Sequence, residues 1–136
     1  MPRGFFCKIN NLTNVLNIRK VVLLCYTIIM IPQNLAEILD ELRHSLNDVM
    51  GSRITGLYIY GSYARGEARP DSDIDILVVV KAPFDYGDLI RLTSTAVADI
   101  SLIHDVVISR AFLSENDFRK SQDLFARNIR REMDAI

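Results

Sequence analysis

The sequence predicts a mixed α/β or α+β domain in which helices cover a three- or four-stranded sheet. Apolar residues recur at spacings of three and four along residues 35–50 and again along 89–100. Short aliphatic and β-branched runs lie between these stretches, with glycine or proline at the changes of period. The resulting order, α-β-β-α-β-α, places the helices on the faces of a small sheet.

Pro32 opens the first helical segment, whose apolar positions Leu35, Ile38, Leu39, Leu42, Leu46, Val49 and Met50 end at Gly51. Residues 54–60 read as a strand, and a one-turn helix is expected over Tyr63 to Gly66. Arg69-Pro70-Asp71 then breaks the chain before a second strand at about Asp73 to Val80. The unbroken Ile, Leu and Val of that strand imply burial on both faces. After a loop bracketed by Pro83 and Gly87, Leu89, Leu92, Ala96 and Ile100 form the expected inner face of a second long helix. His104 to Ser109 reads as a strand, Ser114 with Asp117 as a capping-box-like helix start, and Phe125, Ile129 and Met133 as a last amphipathic helix.

At 136 residues the chain is about one domain. A net charge of −1, with a local basic cluster only at Arg127, Arg130 and Arg131, gives no strong nucleic-acid signal. Cys7 and Cys25 both lie in the first segment, so from Met30 onward a disulfide framework or cysteine-ligated zinc site is excluded, and a cytoplasmic location is the default. The apolar run Val21 to Ile31 is short for a bilayer span of about 20 residues, and no membrane association is expected. Residues 1–29 are read either as an over-extended reading frame with Met30 as the start, or as an extra element packed on the domain formed by residues 30–136.

The chemistry concentrates between the first two strands. Gly61-Ser62 makes a tight turn where backbone can approach a phosphate, and ten residues on come Asp73 and Asp75. Two carboxylates on one face of a strand repel each other, and a divalent cation with hard oxygen preference, Mg²⁺, removes that penalty while also binding phosphates. A Walker A loop does not fit, because Ser62 stands where its lysine is needed, and there is no G-x-G-x-x-G. A two-metal site calls for a third carboxylate. Asp105, heading a strand that lies beside the Asp73 strand, is the best candidate, with Asp99 as rival and Asp71 as a turn residue. Arg65 either meets the triphosphate or pairs with Glu67, and the first is favoured because arginine suits phosphate. His44 and His104 are expected at the surface or in packing roles.

These residues closely resemble the minimal nucleotidyltransferase family of the polymerase-β-like superfamily, whose signature is Gly-Ser, ten residues, then Asp-x-Asp. Ala64-Arg65-Gly66-Glu67, the stretch Ser101 to Ser109 and the ending Phe125 to Glu132 resemble it too, over about Met30 to Glu132. Met133 departs from the pattern, since members commonly carry glycine there. The resemblance implies the minimal polymerase-β-like fold and transfer of AMP from ATP to a hydroxyl, with pyrophosphate leaving. Gly61 and Ser62, with Arg65, would hold the nucleotide, Asp73 and Asp75 would bind two Mg²⁺ ions, and Asp105 would complete the metal site and help deprotonate the acceptor. Minimal relatives are commonly encoded beside a HEPN-domain ribonuclease, and some are antitoxins that AMPylate a tyrosine of that toxin. The expected acceptor is therefore such a HEPN partner, in a homo- or hetero-oligomer. The alternatives are a small-molecule O-nucleotidyltransferase of the aminoglycoside type and a non-catalytic antitoxin that masks its partner.

Overall fold

The computed structural model describes residues 34–136, and the expectations for residues 1–33, including the role of Met30, lie outside that range. Helix α1 (Leu35–Met50) buries Ile38, Leu42, Leu46 and Met50, one residue per turn, and ends at Gly51, whose φ of 56° is open to glycine. A 3₁₀ turn (Gly51–Arg53) leads into β1 (Ile54–Tyr60). The short helix α2 (Gly61–Ala64) follows at once, then a loop to β2 (Ile74–Val80). Helix α3 (Tyr86–His104) starts at Asp85, whose side chain accepts from the Asp88 N–H. It crosses to β3 (Ile108–Ser114), followed by α4 (Glu115–Lys120), α5 (Leu124–Glu132) and the two-residue strand β4 (Asp134–Ala135).

The sheet runs β3-β2-β1-β4, with β1 antiparallel to β2 and β4, and β2 parallel to β3. A parallel pair needs a crossover, and α3 supplies it. Strand β2 is central, so Ile76 to Val80 are all buried. One face of the sheet presents Leu57, Ile59, Ile74, Ile76, Val78, Ile108 and Phe112 to the buried stripes of α1 and α3. The opposite face is thinner, with Leu77 and Val79 meeting Ile129 of α5 and the rims of Tyr58, Tyr60 and Phe118.

Four elements differ from the sequence expectation. The one-turn helix begins at Gly61 rather than Tyr63. The inner stripe of α3 is Leu89, Thr93, Val97 and Ile100, while Leu92 is 40% exposed. Thr93 can be buried because its hydroxyl donates to the Leu89 carbonyl at 2.8 Å. Residues 104–107, expected as strand, are the last residue of α3 and a turn. There His104 lies between Asn34 and Glu41 of the α1 side, 2.7 and 2.9 Å away, and Asp105 adopts a left-handed φ of 51° that stops the helix. The chain after Glu132 turns into β4 instead of continuing as helix.

The two leucines of α3 test this packing directly. Leu89→Ala should cost about 2–5 kcal/mol in urea denaturation, as buried leucine truncations do. Leu92→Ala should cost less than about 1 kcal/mol, and equal losses would mean the helix is rotated from the face described.

Candidate active site

The antiparallel pairing of β1 with β2 sets Tyr60 opposite Asp75, so the turn after β1 meets the acids at the start of β2. Gly61, at φ 74°, leads into α2, and Ser62 is that helix's second residue. The first N–H groups of a helix have no partner within it, and Ser62 lies in that first turn. The φ of Gly61 favours glycine, and a β-carbon there would also overlap Asp75 Oδ2 and displace that carboxylate.

Asp73 immediately precedes β2 and is exposed, whereas Asp75 is partly buried two residues on. Alternation along the strand puts Asp75 on the face shared with α5, and Asp73 is near enough for its charge to act on it. Burial, followed by the charge of Asp73, raises the pKa of Asp75, and Arg65 offsets this only in part. The neighbouring phenol of Tyr60 is pushed up to about 12 by its own burial and by Asp75, so it stays neutral. Among the described residues neither acid forms an ion pair with a basic side chain. The pair offers hard oxygen donors whose repulsion a divalent cation would relieve, which fits Mg²⁺.

Two predicted members of the site are placed differently. Asp105 does not head a strand; it is the exposed left-handed cap of α3, three residues before β3 begins. The residue in register with Asp75 on β3 is Ser109. Among the described residues no group of three His, Cys, Asp or Glu side chains is gathered for a metal. Arg65 is engaged by carboxylates: its Nε donates to Glu67 and its Nη1 to Glu132, each at 2.8 Å. Two of its guanidinium nitrogens are thus engaged by Glu67 and Glu132. Glu132, to which the sequence assigns no site role, also accepts the Gly61 N–H at 3.1 Å. Its only sequence signal is the ending Arg-Arg-Glu, 71 residues after Gly61.

A family model for the nucleotidyltransferase domain matches residues 35–130, which span α1 to α5 and contain every residue just described except Glu132. The chain belongs to that family. Two proteins of Methanocaldococcus jannaschii that bear the name "putative protein adenylyltransferase" are similar to it. One is 36% identical over 95 residues, covering 69% of this chain and 89% of the relative. The other is 29% identical over 73 residues, covering 54% and 73%. Among solved structures, a toxin–antitoxin with AMP-PNP aligns with a TM-score of 0.53 at 17% identity, covering 71% of this chain and 69% of that one. Spectinomycin adenyltransferase AAD(9) from Enterococcus faecialis, with ATP and spectinomycin, aligns at 0.52 and 23% identity, covering 61% of this chain and 35% of that one. At these identities the likeness is one of fold, and it agrees with the polymerase-β-like nucleotidyltransferase architecture expected from the sequence.

The strain on Asp75 yields a stability test. A raised pKa means the folded state holds this proton more tightly than the unfolded chain, so stability falls as pH rises through the shifted value. Asp75→Asn should therefore melt a few degrees above the unsubstituted nucleotidyltransferase at pH 7. The gap should close as pH drops through the raised pKa to below the ordinary carboxylate range. Added Mg²⁺ should raise the melting temperature of the unsubstituted protein and not that of the variant. Identical melting at pH 7 would contradict the described environment of Asp75.

Proposed function

We propose that this nucleotidyltransferase moves AMP from ATP to a hydroxyl of a protein, a tyrosine of a HEPN-type toxin, and so acts as its antitoxin. The observation that carries the reading is the close approach of Gly61 to Asp75, which brings a turn suited to phosphate beside a carboxylate pair suited to a divalent cation. The name of the Methanocaldococcus jannaschii relatives supports a protein acceptor, and the toxin–antitoxin likeness supports the partner.

In the reaction the acceptor oxygen attacks the α-phosphorus. An oxygen–phosphorus bond forms, the bond from that phosphorus to the bridging oxygen breaks, pyrophosphate leaves, and the hydroxyl proton passes to solvent. Ser62 and the N–H groups at the start of α2 would orient the phosphates. Asp73 and Asp75 would hold Mg²⁺, which supplies charge neutralisation at the phosphates when bound. Gly61 keeps the cradle within reach of Asp75. The small-molecule alternative draws on the likeness to the spectinomycin enzyme, of whose length this chain spans about a third (35%).

Incubation with ATP, Mg²⁺ and the HEPN partner, followed by intact mass measurement, should show that partner gaining whole AMP residues. An adduct on spectinomycin with none on protein would replace this reading with the small-molecule one. Protection by an Asp73→Asn/Asp75→Asn protein would favour a masking antitoxin. In the same assay Asp73→Asn should lose on the order of 10²–10³-fold in rate, as does loss of a group that stabilises developing charge. Asp105→Asn tests the third acid expected from the sequence: a loss of the same size supports Asp105 beside the metal-binding pair, and a rate within about threefold of the unsubstituted protein leaves it as the cap of α3 alone.

A further inference from the structure

Glu132 is the last residue of α5, where the negative end of the helix disfavours a carboxylate. Local preference thus opposes this residue, and the compensation comes from a distant part of the chain. Its Oε1 accepts the N–H of Gly61 at 3.1 Å, and its Oε2 accepts Arg65 Nη1 at 2.8 Å. Gly61 is the first residue of α2 and Arg65 is its C-terminal cap, so one carboxylate grips both ends of the helix that carries Ser62. On its other side Gly61 abuts Asp75, leaving α2 held between the acid and Glu132.

We propose that Glu132 is a positioning residue for the nucleotide: it clamps α2 at the height where Ser62 and the following N–H groups meet the phosphates above Asp75. This rests on the nucleotide reading above and adds a division of labour within the turn. The Gly61 N–H is committed to Glu132, and phosphate recognition falls to Ser62 and the residues after it. Arg65 serves the clamp from the other end, with Glu67 bracing it at 2.8 Å. The hydrogen bond from Arg65 also holds the Glu132 carboxyl below its ordinary range, so the clamp stays ionised at neutral pH.

The test compares Glu132→Ala, Glu132→Gln and Arg65→Ala for binding of AMP-PNP with Mg²⁺ by titration calorimetry, alongside amide exchange at residues 61–65. Glu132→Ala should weaken binding by about tenfold, the scale of a lost charge-assisted hydrogen bond, and speed exchange of the Gly61 amide. Glu132→Gln keeps an acceptor for Gly61 but turns an NH2 donor toward Arg65, and Arg65→Ala frees that same end of α2, so both should lie between Glu132→Ala and the unsubstituted protein. Unchanged affinity in Glu132→Ala overturns the proposal, as does a loss in Glu132→Gln equal to that in Glu132→Ala. If the alanine variant does not fold, Glu132→Asp takes its place, being one methylene short of both donors, and unsubstituted affinity there overturns it equally. Failure of the unsubstituted protein to bind AMP-PNP with Mg²⁺ instead overturns the nucleotide reading itself.

Discussion

Gly61 and Asp75 lie so close that no other amino acid could stand at position 61 without displacing the carboxylate. That contact makes the cradle and the acid pair a single object. It follows from strand pairing: with Tyr60 opposite Asp75, the residue after Tyr60 must pass over the Asp75 side chain. The hairpin is long and its second strand is central in the sheet, so the register is fixed by the alternation of buried residues on both faces. The position of Asp75 is therefore fixed together with the core.

The arrangement sets stability against chemistry. Strand β2 buries its aliphatic residues completely and leaves its N-terminal end to carry charge. Asp75 is partly buried next to a like charge, and Glu132 adds a third negative group nearby. Each is tolerated for a separate reason. Glu132 has two donors, Asp73 has solvent, and Asp75 keeps an uncompensated cost that a bound cation would relieve.

Much of this was legible in the chain. The four-residue spacing of Ile38, Leu42 and Leu46 and the continuous run Ile76 to Val80 announce a buried helix face and a central strand. The two halves of the signature, Gly61-Ser62 and Asp73-Ile74-Asp75, come together because both lie on one hairpin, where local spacing translates directly into proximity. The readings that failed needed tertiary information. Residues 104–109 are rich in β-branched side chains, but the hydrogen bonds of His104 to Asn34 and Glu41 tie the end of α3 to α1 and carry the helix through the expected strand start. Asp105 consequently precedes the strand it was expected to head, which begins at Ile108, and Ser109 lies in register with Asp75. The partner of Arg65 was half visible: Glu67 is two residues away, and Glu132 arrives only when α5 folds back across the sheet. Leu92 fell off the inner face of α3 because Thr93, polar by composition, satisfies its hydroxyl within the helix.

The proposed phosphate turn and carboxylate pair lie within fifteen consecutive residues, Gly61 to Asp75, spanning the connection of one hairpin. Such a cassette keeps its internal geometry whatever surrounds it, since its own strand pairing supplies the alignment. The helices and edges around it are then free to diverge, and the molecule that receives the nucleotide can change through evolution without rebuilding the machinery that delivers it. A fold that hosts toxin–antitoxin and antibiotic-modifying members alike is what that separability would produce.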